Sequence, residues 1–422
     1  MRLTAHLDLN VVPLDQEDEV TVLLEITAPS PAADTVRTPA TVQVVLDRSG
    51  SMAGPRLAGA QRALLSLVDR LDPADNFGLV SFDDSARVEL PAVPLTDKNT
   101  AKQTIAALRP GGTTDLSSGL LRGIQEARRA SADRGATLLL ISDGHANAGI
   151  TDHDRLADLA RDAHRHGVST TALGYGLGYD ERLMAAIADG GTGTSLHAED
   201  PDTAVQLIAA EVTGLLSKVV QAASITITPH APVTSVLLYG GLPSTLLGTS
   251  IMTELGDFYA GETRKILLRL AVPGMAALGL ATVAEVVLTY AETQTLTTYT
   301  ITTPISVNVV PGDQAAGRVP DPVVRAERLF LEAQEAKHRA SDALLNGDVT
   351  AAEAILTAAE SALEEGLAWA PNPDELSAQA EELRRYTREA RRDASRTSKE
   401  ARASWYYGTR KRGRPSNESE PE

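Results

Sequence analysis

The residues best suited to chemistry stand where predicted strands end. Asp47, Ser49 and Ser51 form an Asp-x-Ser-x-Ser group directly after a short apolar run. Asp143 follows a second apolar run, and Thr114 lies in a glycine-rich loop between the two. Open α/β sheets place their ligands at the carboxyl ends of parallel strands, so these side chains are expected to converge. Carboxylate and hydroxyl oxygens are hard donors, which predicts a site for Mg²⁺, with Mn²⁺ or Ca²⁺ as alternatives.

Each of these residues also has an ordinary structural interpretation. The first aspartate and serine could cap the helix that follows them, and Thr114 could cap the next one. Asp143 and Gly144 could form a simple turn, and Asp83 and Asp84 are expected to form a solvated turn elsewhere. Taken singly, the ordinary roles explain each residue better. Taken together, the residues favour a metal site.

The elements around these residues alternate between strands and helices. Residues 41–46 and 136–141 are nearly continuous apolar runs, which are typical of parallel strands buried on both faces. Segments with helical spacing lie between the predicted strands. The pattern predicts an α/β domain over residues 38–218, with a doubly wound, mostly parallel sheet.

In this order and spacing the chain resembles the von Willebrand factor type A domain, of a bacterial cytoplasmic type, with its metal-ion-dependent adhesion site. The resemblance covers roughly residues 41–216. The family's Asp-x-Ser-x-Ser motif is matched in full by Asp47, Ser49 and Ser51. Thr114 best matches the family's threonine, with Thr113 as the alternative, and Asp143 matches its second aspartate. The resemblance implies that the hydroxyls coordinate the metal directly and that the carboxylates bind directly or through water.

The resemblance implies that the α/β domain is a binding module. An Asp or Glu carboxylate of a partner protein would fill the open metal position, so we expect divalent-metal-dependent protein–protein interaction, as a scaffold or regulator. We expect no enzyme, because a metal-dependent hydrolase needs a general base beside the metal and none is evident. A purely structural domain remains an alternative. Arg48, at the free position of the motif, is expected to turn outward.

The remaining segments predict two further units. Residues 219–311 contain strand patterns separated by Gly and Pro turns, which predicts an all-β module of about five strands. Residues 1–37 alternate in the same way and are expected to add two strands, giving a seven-stranded sandwich into which the α/β domain is inserted. Alternatively, they pack on the α/β domain as a hairpin. Residues 321–405 are predicted to form a helical hairpin and one long helix over 373–404.

Residues 406–422 are expected to be a disordered tail, first basic and then acidic. Within it, residues 410–415 resemble the core of an AT-hook, in which Arg-Gly-Arg-Pro enters an A·T minor groove. A DNA-associated regulator is therefore the alternative function, and this tail is the one segment through which nucleic-acid binding is considered.

Composition limits the classes of protein that fit. The chain has 422 residues, a formal net charge of −17 and no cysteine. Its length suits two or three domains. The absence of cysteine excludes disulfide scaffolds, Cys-ligated zinc and thiol catalysis. The acidic balance argues against a general polyanion binder. No signal peptide and no membrane span is evident, so we expect a soluble, cytoplasmic protein without a membrane partner.

Overall fold

The computed structural model describes residues 1–30, 37–131, 134–143, 146–176, 178–198, 200–231 and 233–409. The chain begins with three strands, β1 (Arg2–Leu7), β2 (Val11–Pro13) and β3 (Asp18–Thr27). β1 and β3 pair antiparallel.

The α/β domain follows. Its six strands are β4 (Thr41–Asp47), β5 (Asn76–Phe82), β6 (Ala86–Pro94), β7 (Ala136–Ser142), β8 (Val168–Tyr175) and β9 (Thr192–Ala198). They form one sheet in the order β6-β5-β4-β7-β8-β9, in which β6 alone runs antiparallel to its neighbour. Strands β4, β7 and β8 are buried along their whole length.

Helices cover both faces of this sheet. They are α1 (Pro55–Arg70), α2 (Lys98–Ala107), α3 (Leu116–Ser131), α4 (His153–Arg165), α5 (Glu181–Gly190) and α6 (Pro201–Leu216). Because side chains alternate along a strand, Val44 of β4 belongs to the core on the side of α1, α2 and α6, while Val45 belongs to the opposite core, with α3, α4 and α5. The predicted doubly wound, mostly parallel α/β fold is confirmed.

The next seven strands are β10 (Lys218–Pro229), β11 (Ser235–Leu238), β12 (Thr245–Leu247), β13 (Ser250–Tyr259), β14 (Thr263–Val272), β15 (Gly279–Glu292) and β16 (Thr298–Val310). Two sheets result, one in the order β1-β3-β14-β11 and the other in the order β12-β13-β10-β15-β16-β2. The N-terminal strands therefore belong to both sheets, and the α/β domain lies between β3 and β10 in the chain. The sandwich has ten described strands where seven were expected, because both segments contribute more strands than their patterns indicated.

Helices follow the sandwich: α7 (Gly312–Ala315), α8 (Pro322–Leu345), α9 (Val349–Gly366), α10 (Pro373–Ala390) and α11 (Ala394–Thr409). The expectation of one long helix over 373–404 is wrong. The helix ends after Ala390, and Asp393 starts a new one by accepting a hydrogen bond from the backbone N–H of Arg396 at 3.0 Å. α11 then packs on α8.

A buried cation ties these helices together. Lys337 of α8 is 1% exposed, and its Nζ donates to Gln379 and Glu382 of α10, at 2.7 Å each, and to Ser404 of α11 at 3.0 Å. Burial lowers the pKa of Lys337, while the Glu382 carboxylate opposes that shift. The network specifies how α11 lies against the other two helices.

The end of α11 also contacts the α/β domain. Tyr406 is buried in the core beneath α4 and α5, and its hydroxyl donates to Asp189 Oδ1 at 2.8 Å. Residues 406–409 are therefore helical, where a disordered tail was expected from 406 onward. The AT-hook-like segment 410–415 lies outside the described residues. None of the described helices is long and apolar enough to cross a membrane.

Candidate metal centre

Strand β4 delivers Asp47 to the carboxyl edge of the sheet. The side chain is fully buried, and Oδ1 accepts a hydrogen bond from the backbone N–H of Ser49 at 2.8 Å. Oδ2 accepts from the Ser142 hydroxyl at 2.6 Å. Burial raises the pKa of Asp47, and the hydrogen bonds from Ser142 and Ser49 oppose that shift by favouring the carboxylate. The carboxylate orientation is therefore fixed by the ends of two neighbouring strands.

The two serines of the motif belong to a short helical turn: Ser49 precedes it and Ser51 lies within it. The turn spans Gly50–Met52, and Met52 anchors it because its side chain is buried in the core beneath α1. Ser49 Oγ and Ser51 Oγ lie 3.1 Å apart. Ser49 is buried and Ser51 is exposed, so the pair leads from the interior to the surface.

Asp143 comes to the same place from the end of β7. One carboxylate oxygen, Oδ1, accepts from the Ser51 hydroxyl at 2.7 Å. The other, Oδ2, accepts from Arg56 of α1, which also donates to the backbone carbonyl of Ser51 at 3.2 Å. Sequence reasoning missed Arg56. The sequence feature that could have identified it is an arginine in the first turn of the helix that follows the motif.

Thr114 is brought to the edge by the loop that precedes α3. Its backbone N–H donates to Asn147 Oδ1 at 2.9 Å, and its carbonyl accepts from the backbone N–H of Asn147 at 3.2 Å. Gly50 of the motif turn donates to the carbonyl of Gly112 at 3.1 Å, so this loop touches the motif directly. Thr114 is buried, whereas the alternative Thr113 is exposed. Asn147 was also missed from the sequence.

The loop has a strict requirement for glycine at Gly112. Its φ is +68°, and a Cβ at this position would come within 2.8 Å of the Asp83 Cβ. The loop that carries Thr114 passes so close to the end of β5 that position 112 has no room for a side chain.

Arg48 and Asp83 correct two expectations. Arg48 does not turn outward: its Nη2 lies 2.5 Å from Asp83 Oδ2, and its Nη1 donates to the carbonyl of Arg109 at 3.2 Å. Asp83 does not form a solvated turn, since it is 4% exposed. Both follow from position, because Asp47 pairs with Phe82, so the residues that follow them, Arg48 and Asp83, lie side by side. The ion pair links the residue after β4 to the residue after β5.

The donor set suits a hard divalent cation. Two buried carboxylates come from adjacent strand ends, and the hydroxyls of Ser49 and Ser51 extend from one toward the other. Within the described part of the chain, no group of three or more His, Cys, Asp or Glu side chains is placed to hold a metal. A cation bound at this edge would therefore rely on hydroxyl oxygens as well as carboxylates, as Mg²⁺ and Ca²⁺ readily do.

Comparisons with known proteins bear on the identity of the α/β domain. Residues 42–210 match the von Willebrand factor type A domain family. An uncharacterized protein of Synechocystis is 31% identical over 169 residues, which are 40% of either chain. The inter-alpha-trypsin inhibitor heavy chain H1 of Sus scrofa is 29% identical over 177 residues, 39% of this chain and 20% of that protein. The chain thus spans less than half the length of these curated relatives.

Solved structures resemble the chain over nearly its whole length. The von Willebrand factor type A protein from Catenulispora acidiphila superposes with a TM-score of 0.73, over 97% of this chain and 96% of that one, at 17% identity. At this identity the likeness shows a shared fold, including the sandwich and the helices. The chain therefore contains a von Willebrand factor type A domain, which occupies residues 42–210.

Proposed function

We propose that this protein is a divalent-metal-dependent protein–protein interaction module, a scaffold or regulator rather than an enzyme. Mg²⁺ is the cation proposed, with Mn²⁺ or Ca²⁺ as alternatives. The residues proposed to hold it, as a metal-ion-dependent adhesion site, are Asp47, Ser49, Ser51, Thr114 and Asp143.

The observation that carries the proposal is the contact between the two strand ends. Ser51 Oγ lies 3.1 Å from Ser49 Oγ and 2.7 Å from Asp143 Oδ1. Oxygen donors that are far apart in the sequence therefore already meet at one point. Asp47 and its two hydrogen-bond donors hold the inner end of this group rigidly, so little ordering entropy remains to oppose binding.

The charge of the chain makes any binding of a partner carboxylate at the open position dependent on the metal. The chain carries a net charge of −17, so an acidic partner surface would be repelled over most approaches. When bound, the cation would supply a local positive centre at the exposed edge beside Ser51. Binding to an acidic partner should therefore depend strictly on the metal, and EDTA should abolish it.

Thermal unfolding of the full chain tests the proposal. Protein stripped with EDTA is titrated with Mg²⁺, Mn²⁺ and Ca²⁺, beside Ser51→Ala and a matched control, Ser361→Ala, at an exposed position of α9. A hundredfold excess over Kd should stabilise the wild type by about 2.7 kcal/mol. The control should shift equally and Ser51→Ala much less. Equal shifts in all three proteins, or none, would contradict the proposed site.

Capture of a partner is the second step. Immobilised protein is exposed to lysate of the source cells with Mg²⁺ or with EDTA, using Ser51→Ala as the comparison. We expect a partner that is retained with Mg²⁺ by the wild type alone.

The cytoplasmic location stays a prediction, which cell fractionation would test.

A further inference from the structure

The guanidinium of Arg56 lies where the proposed function would place a positive ion. It donates to Asp143 Oδ2 and to the carbonyl of Ser51, two residues of the proposed site. The guanidinium also lies close to Gly176, in the loop between β8 and α5. A Cβ added to this glycine would be 3.3 Å from Nη2 and 3.4 Å from Cζ. The group is thus seated between the motif and the neighbouring strand ends.

Asp143 needs this cation. The side chain of Asp143 is 0% exposed, and a buried carboxylate without a positive partner is costly. Among the described residues, its other side-chain hydrogen bond comes from the neutral hydroxyl of Ser51. Arg56 therefore supplies the charge that offsets the burial of this carboxylate.

Arg56 is also free to leave. Its side chain is 39% exposed, and it extends over the site from the first turn of α1. Moving it outward would expose the guanidinium to water, where the cost is small. A divalent cation and the guanidinium would repel each other across a few ångströms, so they are not expected to occupy the carboxylate together.

We propose that Arg56 is a built-in counter-ion that competes with the divalent cation for Asp143, and so sets the cation concentration at which the site fills. This inference rests on the proposed function, since it concerns the same site. Arg56 is here a residue that tunes affinity, not a ligand. It would keep the site folded without metal and make metal binding weaker than the donors alone would give.

Isothermal titration of Mg²⁺ and Mn²⁺ into the EDTA-stripped full chain tests the competition. Arg56→Gln removes the guanidinium, and Arg62→Gln is the matched control, because Arg62 lies on the same helix, is 59% exposed and pairs with Asp202. A charge at this distance changes the affinity of a carboxylate for a cation by about tenfold or more. We expect R56Q to bind Mg²⁺ about tenfold more tightly than the wild type, and R62Q to match the wild type.

Thermal unfolding gives an independent readout. In EDTA, R56Q should melt below R62Q, because Asp143 loses its counter-ion. Saturating Mg²⁺ should close this gap. Were R56Q not to fold, Arg56→Met, which keeps an apolar stem and also removes the charge, should bind Mg²⁺ more tightly than the wild type.

The outcomes separate the two claims. Binding by R56Q but not by the wild type would support the competition in its strongest form. Equal affinities of the wild type and R56Q, or of the wild type and R56M if that variant is used, would overturn the role of Arg56 and leave the metal site standing. Equal melting of R56Q and R62Q in EDTA would overturn it as well. No binding by any variant would overturn the proposed function, and the competition with it.

Discussion

The Ser142 hydroxyl donates to Asp47 Oδ2 at 2.6 Å, so the last residue of β7 fixes the carboxylate at the end of β4. The contact follows from the sheet register, in which Leu46 lies opposite Ile141. Asp47 and Ser142 are the next residues on the two strands, and their hydrogen bond links the strands at the edge where the proposed cation would bind.

Ser142→Ala tests this link. Removing the hydroxyl leaves Asp47 with one fewer donor in a fully buried place, so unfolding free energy should fall by about 1–3 kcal/mol. Mg²⁺ affinity should fall by roughly tenfold, as for other changes that disturb the orientation of a ligand. Urea unfolding and calorimetric titration measure the two effects, and Ser361→Ala serves as the control. An unchanged affinity would mean that Asp47 needs no such support.

Asn147→Ala should act on Thr114 alone. The Asn147 side chain holds the backbone N–H of Thr114 at 2.9 Å, so its loss frees the loop without opening a core. We expect Mg²⁺ affinity to fall by roughly tenfold or more while the melting temperature in EDTA changes little. Asn99→Ala, at an exposed position of α2, should leave both quantities unchanged. Loss of stability without loss of affinity would show that Asn147 is only structural.

The Arg48–Asp83 pair should be coupled. Both side chains are largely buried, so Arg48→Met or Asp83→Asn leaves the other group unpaired, and either change should destabilise the protein by about 3 kcal/mol. The double variant should lose clearly less than the sum, with a coupling of about 1–3 kcal/mol. Urea unfolding of the four proteins gives the coupling energy. If the losses of the two single variants simply add, the two side chains contribute no more to stability together than an ordinary surface ion pair does.

A pH dependence is expected from Asp75, which lies just before β5. Burial alone would raise its pKa, but hydrogen bonds from Arg37 and from the backbone of Ala40 and Asp72 outweigh burial and hold the pKa below its usual value of 3.8. Arg37 donates to both carboxylate oxygens, at 2.7 and 2.5 Å.

The sign of this effect follows from linkage. A carboxyl whose pKa is lower in the folded state stabilises the protein when ionised, and that stabilisation is lost as pH falls through the folded-state pKa. Asp75→Asn should therefore be less stable than the wild type above about pH 5, and the difference should shrink below the ordinary value of 3.8. Urea unfolding over this range measures it. A difference that stays constant down to acid pH would contradict the ionised pair.

The sequence patterns predict the α/β fold well because each element is marked locally. Buried parallel strands are apolar throughout, as in β4 and β7, and the helices between them show clear spacing. The expected metal residues are found at strand ends and in one loop, since the topology of the sheet alone decides where such positions lie.

What local patterns cannot supply is the identity of charge partners. Arg56 and Asp143 are 87 residues apart, and Arg48 and Asp83 lie after different strands, so neither pair leaves a periodic signal. The break between α10 and α11 is also not predicted by local patterns. The sequence there continues with helix-forming residues, and the cap by Asp393 is favoured because α11 can then pack on α8.

The measurement that tests the central claim most directly is the location of a bound ion. Crystals of the full chain grown with Mn²⁺ would be measured at the manganese absorption edge. The account predicts one anomalous peak within about 2.2 Å of the hydroxyl oxygens of Ser49 and Ser51, near Asp143, and its loss in Ser51→Ala. No peak at this edge of the sheet, with Arg56 still on Asp143 at high Mn²⁺, would contradict a metal-dependent site.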